Sequence, residues 1–152
     1  MRGMGNGRNG VTIRRARASD AARIAELSGQ LGYPATPREM AGRLKSVLRE
    51  KHSQCYVAEA KLEGVIGWVH VIVTSLLEEK KQGEIKGLVV DEMVRSRGAG
   101  AKLLDEAEKW ARRMGCKGMS VRSNVFRERA HEFYLRQGYE HYKTQKAFRK
   151  SL

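Results

Sequence analysis

The spacing of apolar residues switches several times along the chain between a period of two and a period near 3.6, the periods that separate strands from helices. Residues 11–17 alternate and predict a first strand. A helical stripe follows and ends at Gly32. A second helix begins at the capping box of residues 36–39, with proline at its first position, and runs to about Glu50.

The middle of the chain predicts three strands. Residues 55–61 and 65–75 have strand-like composition, and the short connection 62–64 predicts a hairpin between them. Residues 76–83 are polar and predict an exposed loop. Residues 84–90 are then a fourth strand.

The second half begins with the longest helical pattern, which starts after Ser96 and ends at Gly115. A fifth strand is predicted over 117–123 and a last helix over 126–137. Residues 139–150 are expected to form a closing strand or hairpin.

The order β-α-α-β-β-β-α-β-α-β predicts an α+β fold of α/β type. We expect a mixed, mostly antiparallel, twisted sheet of six or seven strands with about four helices. Strands joined through a helix are usually parallel, so the fourth and fifth strands should be parallel neighbours. The 152 residues suit one domain, 11–152, preceded by a glycine-rich tail, 1–10, that we expect to be disordered.

The charge of the chain suits a polyanionic partner. Thirty basic residues against 17 acidic ones give a net charge of +13. Nucleic acid and a phosphate-rich cofactor both meet that description. Modules that bind single-stranded nucleic acid need aromatic platforms interleaved with basic residues, and the sequence has none, which argues against nucleic acid.

Other classes are excluded by composition. Two cysteines argue against a disulfide scaffold and indicate free thiols in a cytosolic protein. No apolar run has the length of a membrane span, and the N-terminus lacks the apolar core of a signal peptide. No metal site is expected, because no His/Cys/Asp cluster has ligand spacing. These features predict a cytoplasmic protein.

The candidate chemistry centres on the turn between the fourth strand and the long helix. Free backbone N–H groups and the positive dipole end at a helix start attract anions. Gly98 and Gly100 have no Cβ, so a phosphate can approach the backbone closely. Arg95 and Arg97 add two cations. This arrangement predicts a pyrophosphate site, the alternative being a glycine-rich turn of no further function.

Two common phosphate-binding motifs do not fit. A P-loop needs Ser or Thr after Lys102, and the dinucleotide fingerprint needs a third glycine, but residue 103 is leucine. What remains is Arg-x-x-Gly-x-Gly after a strand, formed by Arg95, Gly98 and Gly100. It resembles the coenzyme-A-binding motif of the GCN5-related N-acetyltransferases, the GNAT superfamily. The predicted order of elements is also similar to that family from Val11 onwards.

The resemblance implies acetyl-CoA as acetyl donor. It implies that Leu88, Val89 and Val90 hold the pantetheine and thioester, with a backbone N–H near Val89 or Val90 holding the oxyanion. It also implies a pyrophosphate site at the turn and helix start: Arg95, Ser96, Arg97, Gly98, Ala99, Gly100 and Ala101.

A second block is similar to the family's asparagine after the fifth strand and tyrosine on the next helix. Asn124 matches the asparagine, which contacts the pantetheine or a phosphate in the family. Tyr134 matches the tyrosine, which protonates the leaving thiolate and also lies near the coenzyme sulfur. A phenol with a pKa near ~10 is protonated at neutral pH and can donate. The alternative for Tyr134 is a core aromatic.

Glu84 is the candidate base, because it matches the catalytic glutamate of histone-acetylating members. Many members use waters instead, and Glu84 can equally be a solvent-facing strand residue. The helices after the first strand form part of the acceptor site in the family. Tyr33, Trp68 and His70 are candidates to line it.

We therefore expect an N-acetyltransferase that acts on the primary amine of a small molecule, aminoglycoside-like or polyamine-like, by direct attack on the thioester. The basic chain counts against an aminoglycoside, whose enzymes have acidic pockets. The alternatives are acetylation of a protein or peptide amine, lysine or N-terminus, and a non-catalytic module that binds CoA or nucleic acid. A homodimer is left open.

Overall fold

A computed structural model describes residues 10–94 and 97–152. The predicted tail, apart from Gly10, and the site residues Arg95 and Ser96 lie outside the described residues. The chain divides into two compact units, one ending at Arg122 and the other comprising Ser123–Leu152.

The first unit follows the predicted order of elements. Its strands are β1 Val11–Arg15, β2 Ser53–Ala60, β3 Gly64–Thr74, β4 Gln82–Val90 and β5 Gly118–Val121. Its helices are α1 Ala21–Leu31, α2 Pro37–Arg49 and α3 Ala99–Arg113, with single 3-10 turns at Ala18–Asp20 and Glu92–Val94. The capping box at the start of α2 is present: the Thr36 hydroxyl accepts the Glu39 N–H at 3.1 Å, and the Glu39 carboxylate accepts the Thr36 N–H at 3.3 Å.

The sheet has five strands in the order β1-β2-β3-β4-β5. Neighbours are antiparallel except β4 and β5, which are parallel, as predicted for strands joined through α3. The β4–β5 register runs from Gln82 opposite Gly118 to Ile85 opposite Val121. Only the first part of β4 is therefore paired with β5.

The two faces of the sheet carry different helices. On one face, Trp68 and Val89 belong to an apolar cluster with Ile24 of α1 and Leu44 of α2. On the other face, a Cβ added at Gly83 of β4 would lie 2.9 Å from the Ala111 side chain of α3. Because side chains alternate along a strand except at a bulge, these contacts place Val89 on the α1–α2 face and Gly83 on the α3 face.

The apolar cluster on the α1–α2 face also contains Cys55. Burial raises the pKa of this thiol to about 12, so it is an inert packing residue. Cys116 is half-buried, and both cysteines are free, as the sequence predicts.

The second unit contains the helix α4, Glu128–Arg136. The predicted closing strand is wrong: residues 139–152 carry no strand or helix, and Tyr142 and Phe148 are exposed. The apolar residues of that segment, at 139, 142, 147 and 148, do not alternate, so they offer no face that a strand can bury. The sheet therefore has five strands rather than six or seven.

None of the helices within the described residues is long and apolar enough to cross a bilayer.

Candidate active site

The main-chain groups at the end of β4 have a definite direction. The Asp91 N–H donates to the Ile66 carbonyl at 2.7 Å and continues the ladder between β4 and β3. Hydrogen-bonded pairs alternate along an antiparallel ladder, so Val89 is the next residue that bonds to β3, opposite Trp68. The N–H of Val89, one of the two predicted oxyanion donors, is therefore directed at β3.

Leu88 and Val90 direct their N–H and C=O groups to the opposite edge of β4. Pairing with β5 ends at Ile85, so no strand of the unit that ends at Arg122 covers this edge. An open strand edge accepts an extended chain that carries amides, by the same bonds that add a strand to a sheet. Pantetheine is such a chain, and these two residues fit it.

The start of α3 has the features of an anion site. Gly98 is the N-cap with φ 74°, a left-handed conformation that glycine adopts without strain. No side chain in the described part of the protein caps the helix. No atom lies within 4 Å of the position that a Cβ at Gly98 would take. Open space, uncapped N–H groups and a helix dipole fit a pyrophosphate.

Arg97, predicted to bind the pyrophosphate, has a protein partner. Its guanidinium donates to the Glu63 carboxylate at 2.6 Å, which ties the turn before α3 to the β2–β3 hairpin loop. This bond raises the pKa of Arg97 and lowers the pKa of Glu63. Part of the charge of Arg97 is thereby neutralised, and its role toward a phosphate stays a prediction.

A partly buried network of hydrogen bonds holds the turn after β4, and the sequence alone does not reveal it. The Asp91 carboxylate accepts the Met93 N–H at 3.0 Å and hydrogen bonds from Arg23 and Gln30 of α1. The Gln30 side-chain oxygen accepts the Glu92 N–H at 3.0 Å. An aspartate bonded two residues ahead is a local turn signal, but nothing in the sequence points to partners more than 60 positions away.

Asp91 should make the stability of the protein sensitive to acid. Hydrogen bonds from the Met93 N–H and from Arg23 lower the pKa of its carboxyl. The stabilisation is therefore complete above the ordinary aspartate pKa near ~4 and is lost as the pH falls through the lowered value. We expect Asp91→Asn to lower the free energy of unfolding by about 1–3 kcal/mol above pH ~5, and by less as the pH falls below ~4. Urea unfolding between pH 3.5 and 7 measures this difference.

The matched control is Asp105→Asn, which removes a carboxylate from an exposed pair with Lys109 on α3. Its effect should stay within about 0.5 kcal/mol at every pH. A destabilisation by Asp91→Asn that is the same at pH 3.5 and pH 7 would contradict the role of the ionised Asp91.

Glu84 is buried, so the alternative in which it faces solvent is wrong. It follows Gly83, which faces α3, and therefore lies on the α1–α2 face. Its Oε1 accepts hydrogen bonds from Arg122 at 2.7 Å and from Lys86 at 3.4 Å. Lys86 is the extra residue of a bulge in β4, where the register steps from Gly87 to Ile85. No local signal in the sequence marks Lys86 as a site residue.

The acceptor candidates Trp68 and His70 lie on β3, and His70 is opposite Gly87 of β4. Trp68 Nε1 and His70 Nε2 are buried without a hydrogen-bond partner among the described residues. Burial, together with the charge of Lys86, lowers the pKa of His70, so its imidazole is largely neutral at neutral pH. Tyr33, the third candidate, is exposed.

Asn124 and Tyr134 lie in the second unit. The Asn124 carbonyl accepts the Arg127 N–H at 3.0 Å and a hydrogen bond from the His131 ring at 2.8 Å, which organises the chain entering α4. Tyr134 is half-buried and contacts Phe133 edge-on, with ring centroids 5.2 Å apart. Desolvation raises the pKa of Tyr134 against the opposing charge of Arg127. Its phenol is therefore protonated at neutral pH.

No group of His, Cys, Asp or Glu side chains within residues 10–94 and 97–152 has the arrangement of a metal site.

Comparison with known proteins places the chain in a family. The model of the "Acetyltransferase (GNAT) family" matches residues 21–139. The uncharacterized N-acetyltransferase YhfO of Bacillus subtilis (strain 168) is 30% identical over 135 residues, which cover 86% of this chain and 90% of YhfO. An aminoalkylphosphonate N-acetyltransferase of Salmonella typhimurium LT2 is 42% identical over 67 residues, 43% of this chain and 44% of that protein. The chain thus matches less than half the length of the Salmonella enzyme.

Solved structures show the same fold. The aminoglycoside N-acetyltransferase AAC(6')-Iy in complex with CoA superposes with a TM-score of 0.83 at 17% identity, over 93% of this chain and 95% of that one. A transcriptional regulator from Bacillus halodurans C-125 has a TM-score of 0.78 at 23% identity, over 91% and 99% of the two chains. The family model and the long match to YhfO agree with the open space at Gly98 at the start of α3. The chain therefore belongs to the GNAT family as an acetyl-CoA-dependent N-acetyltransferase.

Proposed function

We propose that this enzyme transfers the acetyl group of acetyl-CoA to the primary amine of a small molecule by direct attack of the amine on the thioester. The observation that carries this proposal is the open edge of β4 at Leu88 and Val90, on the same strand as the buried carboxylate of Glu84. The edge that holds the thioester and the carboxylate that acts as base thereby lie on one strand, β4. The named functions of relatives, aminoalkylphosphonate and aminoglycoside acetylation, support a small acceptor.

The donor binds through main-chain groups of this chain. The N–H groups at the start of α3, with Gly98 leaving room, hold the pyrophosphate, and the peptide groups of Leu88 and Val90 hold the pantetheine amides. When bound, acetyl-CoA supplies the activated acetyl thioester. Arg95, Ser96 and Asn124 are assigned to the same donor by their match to the family motifs alone.

One outward N–H stabilises the negative charge that develops on the acetyl oxygen. Leu88 and Val90 both qualify, whereas Val89 bonds to β3. The partners of Glu84 and Leu88 on β3 are Ile72 and Val69, three residues apart, so Leu88 lies about 10 Å from Glu84 along the strand. The partner of Val90 is Gly67, five residues from Ile72, so Val90 lies about 17 Å away. The shorter separation assigns the oxyanion N–H to Leu88.

Glu84 takes the amine proton through water, since a separation on the order of 10 Å is too long for a direct hydrogen bond. Tyr134 donates its phenolic proton to the leaving sulfur. An alkylamine is almost wholly protonated at neutral pH, so loss of its proton must precede the attack. Orientation of amine and thioester supplies most of the rate in such a site.

The test is release of free thiol from acetyl-CoA in the presence of small amines and of a lysine-containing peptide. We expect the highest kcat/KM with a small amine. A higher kcat/KM with the peptide than with every small amine would contradict the proposal and favour protein or peptide amines as acceptors. Saturating acetyl-CoA should also raise the melting temperature, because a ligand at about 100 times its Kd adds about 2.7 kcal/mol of stability.

A further inference from the structure

Two cationic side chains, Arg122 and Lys86, meet the carboxylate of Glu84 on the α1–α2 face of the sheet. Arg122 and Lys86 both donate to the same carboxylate oxygen, Oε1. Two cations against one carboxylate leave this cluster with an excess positive charge.

The two cations keep donors for a ligand. The Arg122 side chain is 74% exposed and the Lys86 side chain is 43% exposed, whereas the Glu84 side chain is only 11% exposed. Each cation donates one hydrogen bond to Glu84, and a guanidinium or an ammonium has further N–H groups that can donate to a ligand. The exposed side of the cluster therefore presents donors, with a recessed carboxylate between them.

The position of this cluster relative to the donor site sets the size of the ligand. Lys86, the extra residue of the β4 bulge, lies between Ile85 opposite Val71 and Gly87 opposite His70, so it is about 5 Å along the sheet from Leu88 opposite Val69. An amine that attacks a thioester held at Leu88 can reach Lys86 or Arg122 with an anionic group only a few bonds away. A long or branched acceptor is not required.

We propose that the acceptor is a short zwitterionic amine, whose own anionic group binds Arg122 and Lys86 while its nitrogen is presented to Glu84 and the thioester. The anionic group is an oxyanion such as a carboxylate, phosphonate or phosphate. This inference rests on the proposed function and narrows its substrate class. It disfavours polyamines and aminoglycosides, because their additional cations are repelled by Lys86 and Arg122.

The experiment compares kcat/KM for amines of similar length and different charge. The zwitterions are 2-aminoethylphosphonate, β-alanine and taurine; the reference amines are propylamine, which has no anion, and putrescine, which has a second cation. We expect the best zwitterion to exceed propylamine by at least tenfold and putrescine by more. Comparison of kcat/KM among the three zwitterions shows whether the enzyme prefers a phosphonate, a carboxylate or a sulfonate.

Variants of Arg122 and Lys86 test whether these two side chains cause the preference for zwitterions. Arg122→Gln and Lys86→Gln should each reduce the ratio of kcat/KM between zwitterion and propylamine about tenfold, mainly through KM for the zwitterion. Lys109→Gln is the matched control, because it also removes one positive charge but from an exposed pair on α3. Its ratio should equal that of the wild type, and increased salt should weaken the preference in the wild type.

The outcomes separate the two proposals. If propylamine or putrescine is acetylated as well as the zwitterions, the zwitterion assignment is overturned and the small-amine function stands. The assignment to this cluster is also overturned if the Lys109 variant loses the preference as strongly as the other two. If only the lysine peptide is acetylated, both proposals fail together.

Discussion

Replacing Gly98 by aspartate should raise the Kd for acetyl-CoA by about 100-fold while the chain stays folded. The new carboxylate would lie at the N-cap of α3, where it accepts the same N–H groups that we assign to the pyrophosphate and repels the phosphates. Loss of charge-assisted hydrogen bonds costs about 1.5–3 kcal/mol, and 100-fold corresponds to about 2.7 kcal/mol. Isothermal titration with acetyl-CoA measures the effect.

Gly98→Asn is the matched control for this variant. Asparagine and aspartate have nearly the same volume, and both tolerate the left-handed conformation that Gly98 adopts at φ 74°. The asparagine variant should weaken acetyl-CoA binding by no more than about tenfold, so the difference between the two isolates charge from backbone strain. Equal affinity of the aspartate variant and the wild type would exclude the start of α3 as the phosphate site.

Tyr134→Phe should lower kcat by about 100-fold and leave the Kd for acetyl-CoA within a factor of about three. General acids contribute about 10²–10⁴-fold to a rate, and the phenylalanine ring keeps the packing against Phe133. Burial raises the pKa of Tyr134, so the wild type should retain its acid, and this part of its activity, beyond the ordinary pKa of a tyrosine. Steady-state rates across pH 7–10.5 test both statements.

Tyr142→Phe is the control for Tyr134→Phe. Tyr142 is 70% exposed in the segment that follows α4, and removal of its hydroxyl should not change kcat. Unchanged turnover in the Tyr134 variant would remove this residue as the acid. A loss of kcat accompanied by an equal loss of acetyl-CoA affinity would instead make Tyr134 a binding residue.

Local signals in the sequence were sufficient for most of the fold. The capping box at Thr36 and Glu39 and the strand-like composition of residues 55–61 and 65–75 act over a few residues, so they can be recognised without knowledge of the fold. The parallel β4–β5 pair followed from a helix of the right length between two strands. The prediction failed at 139–150, where strand-like composition lacked an alternating face.

The sequence predicted only part of the candidate site. The sequence selected Gly98 because a glycine-bearing turn between a strand and a helix is a local pattern, and it selected Leu88, Val90 and Glu84 because they match positions of the family. It did not reveal that Arg97 is paired with Glu63, 34 positions away, or that Glu84 is paired with Arg122, 38 positions away. Such pairings depend on which strands and loops become neighbours.

By itself, the sequence determined the elements up to α4, their order and the anion-binding turn, since each depends on periodicity, caps and short motifs. Its resemblance to the family supplied the class of donor. Only the tertiary structure decided which main-chain groups of β4 are open and which face Glu84 occupies. Both depend on the register between β3 and β4 and on the bulge at Lys86, where one extra residue resets the alternation of the strand. An extra residue of this kind cannot be recognised from the hydrophobic periodicity, yet it determines which side chains of β4 face the acceptor amine.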